Sequence, residues 1–217
     1  MLVFTGFPAQ YPEASISSKV IALLGGFAGR SFLHRAAAII LMALTVYHVL
    51  YSILTRRGRS ELWALVPNFK DMFDAIHAVK FYLGFARDLP KFDRYNFIEK
   101  FEYLAVGWGT VCMAGTGLLL WFQDQALAMF PKWVLDIALV VHSYEALLAF
   151  LAIIIWHFYH VHLNPEVFPM SKIWLNGKIS EHEMMEHHPL EYEKMMKRAS
   201  IDGAAGKEPE TKLTRKV

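Results

Sequence analysis

Three long apolar stretches constrain this chain more than any other feature. Residues 36–55 (AAAIILMALTVYHVLYSILT) and 103–122 (YLAVGWGTVCMAGTGLLLWF) carry no formal charge, and residues 137–159 (IALVVHSYEALLAFLAIIIWHFY) carry one, Glu145. A helix rises about 1.5 Å per residue, so about twenty residues cross a hydrocarbon core of ~30 Å. A backbone in lipid must satisfy its own polar groups, which leaves helices as the natural way to thread such stretches through a bilayer. The predicted fold is therefore an all-α integral membrane protein, a transmembrane helical bundle with three spans. Hydrophobic residues make up 55% of the 217, more than a water-soluble domain of this length usually carries.

The distribution of charge predicts the orientation. The linker 56–100 holds Arg56, Arg57, Arg59, Lys70, Lys80, Arg87, Lys91, Arg94 and Lys100, whereas residues 123–133 hold one base, Lys132. The positive-inside rule then places the linker and the lysine-rich C-terminus in the cytoplasm and 123–133 outside. Spans one and three run the same way, and a multi-pass protein of the bacterial inner (cytoplasmic) membrane is expected, in contact with membrane lipid and with no nucleic-acid partner.

Around the spans, residues 1–30 read as an external stub with a short interfacial helix over 18–29. MLVFTGFP looks like the tail of a helix that starts earlier, and it is too short and too poor in base for a signal peptide. Residues 31–164 form the membrane domain, including the linker 56–100. Within that linker Met72, Phe73, Ile76, Val79 and Leu83 recur at helical spacing, predicting an amphipathic helix on the cytoplasmic face. Residues 165–198 form a C-terminal cytoplasmic segment, helical in parts and interrupted at Pro189, and 199–217 have the composition of a disordered tail.

Histidine placement is the strongest functional signal. His34 and His48 bracket the start and interior of span one; His142 and His157 do the same for span three. Ionisable side chains inside a membrane are costly and usually functional. Fourteen residues of helix rise ~21 Å and fall within about 40° of whole turns, so His34 and His48 share a face; His142 and His157, fifteen apart, rise ~22 Å and miss by about 60°. Two parallel helices would then present imidazoles at two matched depths. Haem iron takes two axial ligands, and imidazole supplies them. One haem between His34 and His142 and a second between His48 and His157 would lie ~20 Å apart along the membrane normal. There is no CxxCH, and the single cysteine, Cys112, lies inside span two, so both would be non-covalent b-type haems. Isolated histidines bonded within a bundle, or a proton path, do not require pairing at two depths.

Other residues carry a plainer reading beside the functional one. Arg35 adjoins His34 and is a candidate for a haem propionate, as are Arg94 and Lys100; each also suits a membrane-edge anchor. Gly107, Gly109, Gly115 and Gly117 allow close approach of a helix or a porphyrin. Glu145 lies one turn from His142 and suits either proton transfer or a bond to a neighbouring helix. His160 overshoots the depth of His48 and is a quinone-side candidate; His162 reads as interfacial. HEMMEHH at 182–188 is not an HExxH metal motif, because Glu186 stands where the second histidine belongs.

Several stretches resemble the cytochrome b subunits that anchor membrane-bound formate dehydrogenases, nickel-iron hydrogenases and related respiratory complexes. RSFLH at 31–35 resembles the entry of that family's second transmembrane helix, where a haem ligand sits. RYNFIEK at 94–100 is similar to the stretch before the third helix, whose polar residues lie near a quinone; Asn96 and Glu99 occupy those places here. The histidine-rich end of span three, with GKIS and then HHPLEYE at 187–193, is similar to the family's C-terminal segment. The likeness covers most of residues 1–195. It implies a quinone (menaquinone included) as exchangeable substrate, and a multihaem c-type cytochrome or iron–sulfur subunit as redox partner. The spacing from His160 to His187 is also family-like, which keeps His160 open beside His157 as the inner ligand. The family usually has four spans, with a haem ligand on the first; three are legible here. His48 offers instead a pairing spaced like that of cytochrome b in quinol-oxidising complexes.

The function these features imply is electron transfer across the bilayer between a quinone pool and a partner redox subunit. A transmembrane wire between cytochromes without quinone, and a non-redox anchor or proton-coupled carrier, are the alternatives.

Overall fold

The computed structural model describes residues 1–165, 168, 170 and 172–204. Among them every regular element is helical. The described residues divide into two compact units, one from residues 1–59 and 105–158 and one from residues 60–104 and those after 158.

In the first unit, α1 (Leu2–Gln10) and α2 (Ser15–Leu23) precede the first long helix, α3 (Gly26–Leu54). Gly25 and Gly26 both take left-handed backbone, φ +84° and +80°, and so break α2 from α3 at a point where a Cβ would be strained. The expected interfacial helix at 18–29 is thus split: its first part belongs to α2 and its last residues already belong to α3. Next come α4 (Arg56–Leu65), α5 (Phe69–Tyr82) and the second long helix, α6 (Phe97–Trp121). A short α7 (Gln123–Met129) turns the chain into α8 (Lys132–Leu151). The helix continues in π form over Ala152–His157 and Tyr159–Leu163. Gly26–Leu54, Phe97–Trp121 and Lys132–Leu163, of 29, 25 and 32 residues, are the three helices long and apolar enough to cross a membrane among the described residues.

Contacts fix their directions. Gly109 of α6 lies against Glu145 of α8, and Gly117 lies against His142, so α6 and α8 are antiparallel. The guanidinium of Arg35, near the start of α3, sits 5.0 Å from the ring centre of Trp121 at the end of α6. The start of α3, the end of α6 and the part of α8 around His142 therefore share one level, and α3 and α8 run the same way. Thr5, Ser17, Ser52, Asp71 and Lys100 are buried, whereas most Leu, Ile and Phe of the long helices are exposed. That inversion of a water-soluble core suits helices solvated by hydrocarbon, which join through small and polar groups.

In the second unit, α5 begins with a capping box: Asp71 N–H donates to Asn68 Oδ1 and Asn68 N–H to Asp71 Oδ2. The same carboxylate accepts two bonds from Lys100 Nζ, each 2.9 Å, and both residues are buried, at 9% and 5% exposure. The pair pins one face of α5 to the first turn of α6. On α5's other side Phe69, Met72, Phe73, Ile76 and Val79 are exposed.

The C-terminal segment is α9 (Ile173–Asn176), α10 (Glu181–His187) and α11 (Pro189–Ala204), with the break at Pro189. It docks on the loop before α6. Leu190 N–H donates to Phe92 O at 3.1 Å, His188 Nδ1 bonds Asp93 O at 2.8 Å, and Lys194 pairs with the Asp93 carboxylate. Residues 199–204, expected in the tail, continue α11 as helix; the remainder of that tail, 205–217, lies outside the described residues.

Candidate functional site

Two of the four predicted histidines come together in the first unit. The His34 and His142 rings have centroids 6.4 Å apart and planes at 69°. Two imidazoles bound trans to one metal, each at about 2 Å through one nitrogen, have centroids roughly 6 Å apart. Both rings are half-buried, one on α3 and one on α8.

Each ring is gripped by a threonine. Thr5 Oγ1 lies 2.8 Å from His34 Nδ1, and Thr116 Oγ1 lies 2.9 Å from His142 Nδ1. Each hydroxyl also lies within donating distance of its own helix, Thr5 of Met1 O at 3.0 Å and Leu2 O at 3.1 Å, and Thr116 of Cys112 O at 2.6 Å. A hydroxyl has one proton; with that proton on the helix carbonyl, the threonine oxygen accepts and the imidazole donates from Nδ1–H. In that arrangement each histidine is the tautomer whose Nε2 lone pair is available to a metal. The glycines complete the cradle: a Cβ on Gly6 would meet His34 Cε1 at 3.5 Å, and one on Gly117 would meet His142 Cε1 at 3.1 Å.

Arg30, one turn before His34, donates from Nη1 to Thr5 O at 3.0 Å and from Nη2 to Ser31 Oγ at 2.7 Å. Its Nε–H is buried with no partner. An unsatisfied guanidinium donor beside the imidazole pair is what a haem carboxylate would answer. The three basic residues singled out from sequence are engaged elsewhere: Arg35 stacks on Trp121, Arg94 donates to Glu61 at 2.7 Å, and Lys100 holds Asp71. The donor set, the ring separation and the orphan guanidinium all fit a b-type haem between His34 and His142.

His48 and His157 are exposed on α3 and on the first π-helical stretch. The π turns change the expected azimuth. A bond from i to i+5 takes an extra residue per ring, so α-helical reckoning from His142 does not reach His157, His160 or His162. His160 is half-buried, its ring set edge-on to Tyr159 at 5.3 Å. Asn96 and Glu99 are brought together, but by a helix cap. Glu99 N–H donates to Asn96 Oδ1 at 2.9 Å and Asn96 N–H to Glu99 Oε2 at 2.8 Å, the reciprocal pattern that starts α6.

Sequence reading missed Thr5, Thr116 and Arg30. Arg30 was recoverable from its spacing of one helical turn from His34. The threonines lie 29 and 26 residues from their histidines, and nothing local marks them.

Fold and site together define a class: a membrane-embedded helical bundle whose spans bring two imidazoles together. The chain belongs to the prokaryotic cytochrome b561 family, whose model matches residues 1–170. It is thus a bacterial membrane b-type cytochrome, a haem protein of electron transport working with redox partners. Among curated proteins none matches it.

Proposed function

We propose that this cytochrome holds two b-type haems and carries electrons across the membrane between a quinone and a partner redox subunit. His34 and His142 would hold one haem, and His48 with His157 the other; His160 is the alternative inner ligand. Haem, when bound, gives and takes single electrons, and the protein sets its potential and access. Arg30 takes over the propionate role for which Arg35 stood in sequence, because Arg30 has the unused donor. The quinone docks on the cytoplasmic side, where Asn96, Glu99 and His160 offer hydrogen bonds and a proton. The partner, a multihaem c-type cytochrome or an iron–sulfur subunit, docks outside, and the C-terminus is cytoplasmic.

The observation that carries this reading is the imidazole pair at 6.4 Å, each ring tied by Nδ1 to a threonine. The quinone-free wire is favoured by one observation of its own: Asn96 and Glu99 already use polar atoms on each other as a cap. Pyridine-haemochrome stoichiometry on the purified chain tests the haem count, with two per chain expected and one or none refuting it. Absence of menaquinol-dependent haem reduction would leave the wire as the better account, whereas reduction that survives unchanged in both Asn96→Ala and Glu99→Gln would place the quinone away from those two residues.

A further inference from the structure

Five threonines of the described chain turn their hydroxyls back on a carbonyl four residues earlier: Thr5, Thr45, Thr55, Thr110 and Thr116. Such back-bonding is ordinary in helices and by itself has no functional meaning. Two of the five also face an imidazole Nδ1, and those two imidazoles are His34 and His142. The two arrangements match in every link. With the hydroxyl proton on the carbonyl, the hydroxyl oxygen accepts from an Nδ1–H, and Nε2 is left as the basic nitrogen. They are built independently, one from α1 to α3 and one from α6 to α8. Thr5 is also completely buried, at 0% exposure, where few of the described residues are buried.

We propose that Thr5 and Thr116 are positioning residues that act through the two axial imidazoles, locking their tautomer and ring orientation and poising the haem between them toward its oxidised form. The inference rests on His34 and His142 being that haem's ligands. The physical route is donation. A proton shared from Nδ1 to an oxygen leaves more electron density on Nε2, and a more basic ligand favours ferric over ferrous iron. The carbonyl bond strengthens the effect, because a hydroxyl that donates becomes a better acceptor. Two relays on one iron act in the same direction.

The test uses the full chain purified in detergent and compares Thr116→Val, Thr116→Ser, Thr5→Val and Thr5→Ser by redox titration of the haem bands, ferric electron paramagnetic resonance and haem content. Valine keeps the shape and removes the hydroxyl; serine restores it. Each valine variant is expected to raise the midpoint potential of one haem by a shift equivalent to about tenfold in the ferric/ferrous ratio, or 59 mV for one electron. The g-values of that haem should change with it, and serine should return both to the parent values. Thr45→Val and Thr110→Val, which remove the same back-bond without an imidazole partner, should move neither. Haem loss in a valine variant with retention in its serine counterpart also supports the lock; loss in both overturns it. Unmoved potential and g-values in both valine variants likewise overturn it. His142→Ala separates the premise from the inference: if it keeps full haem content with unchanged spectra, the ligand assignment is what has failed.

Discussion

Gly117 is the position where one methyl group discriminates most sharply between a haem cradle and ordinary helix packing. A Cβ there would lie 3.1 Å from His142 Cε1 and 3.7 Å from its Nδ1, about 0.3 Å short of the 3.4 Å at which ordinary contact begins. The ring is not the loose end of a flexible chain. Thr116, on the adjoining residue, holds it at 2.9 Å, so it can relieve the contact only by stretching that bond or tilting. Gly6 is the internal control, because its Cβ would meet the His34 ring at 3.5 Å, within normal contact. In an ordinary helix Gly→Ala gains up to about 1 kcal/mol in propensity. Gly117→Ala is therefore expected to unfold no earlier than the parent while binding haem about tenfold more weakly, the lower end of the loss seen when groups that orient a metal ligand are disturbed. Gly6→Ala should bind haem as the parent does. The assay is haemin titration of the apo-chain in nanodiscs, followed by the reduced-minus-oxidised spectrum, with thermal melting measured in parallel. Equal loss in both variants, or haem affinity in Gly117→Ala within twofold of the parent, would falsify the cradle geometry.

Further outcomes follow from the same contacts. Lys100→Met strands the Asp71 carboxylate in a buried setting and should cost about 3–5 kcal/mol, seen as lowered thermal stability with early exchange of α5 amides; the double variant Lys100→Met with Asp71→Asn should recover much of it, and a single variant as stable as the parent would refute the buried pair. Arg30→Gln should weaken haem retention at the His34 level more than Arg35→Gln, since Arg35 is committed to Trp121; the reverse order on washing the purified protein would return the propionate role to Arg35. Burial works to raise the Asp93 carboxyl, but the bond from Lys194, the Arg94 amide and the nearby cations outweigh it and hold Asp93 below the ordinary carboxylate range. Its folded value is thus below the unfolded one near 3.9, so its contribution to docking α11 is complete above about pH 4 and is lost as pH falls through the lowered value. Spin labels on α11 and on the loop before α6 should hold a constant distance from pH 7 to 5 and separate only in stronger acid; separation already between pH 7 and 5 would refute the assignment.

The spans were legible because hydrocarbon leaves so few options. Length and lack of charge alone located three helices, and the structure extends each at one or both ends, where polar and aromatic residues of the interface had masked the helical continuation. The meeting of His34 with His142 was legible too, since parallel helices put equal depths side by side. Beyond Leu151 the change from α to π winding alters the azimuth expected for His157, His160 and His162, with no proline or glycine in 152–163 to announce it. Asn96 and Glu99 form a cap that the sequence did not single out: a polar pair three residues apart at the head of a span suits a helix cap and a binding site alike, and the hydrogen bonds show the cap.

The least legible part of the site, the pair of threonines, follows from the physics of the site once its geometry is known. An imidazole in a hydrocarbon span has two nitrogens to satisfy, and a metal answers one. The other would be left as a desolvated N–H, a penalty of roughly 1–3 kcal/mol, unless a second helix brings an acceptor. That acceptor must be small enough to sit between packed helices and must carry no charge of its own into the membrane. A threonine hydroxyl whose proton is already given to its own helix meets both demands. On the proposed assignment the site would draw on four helices where the iron needs two, and α1, outside the three spans, has its one fully buried side chain at Thr5, against His34.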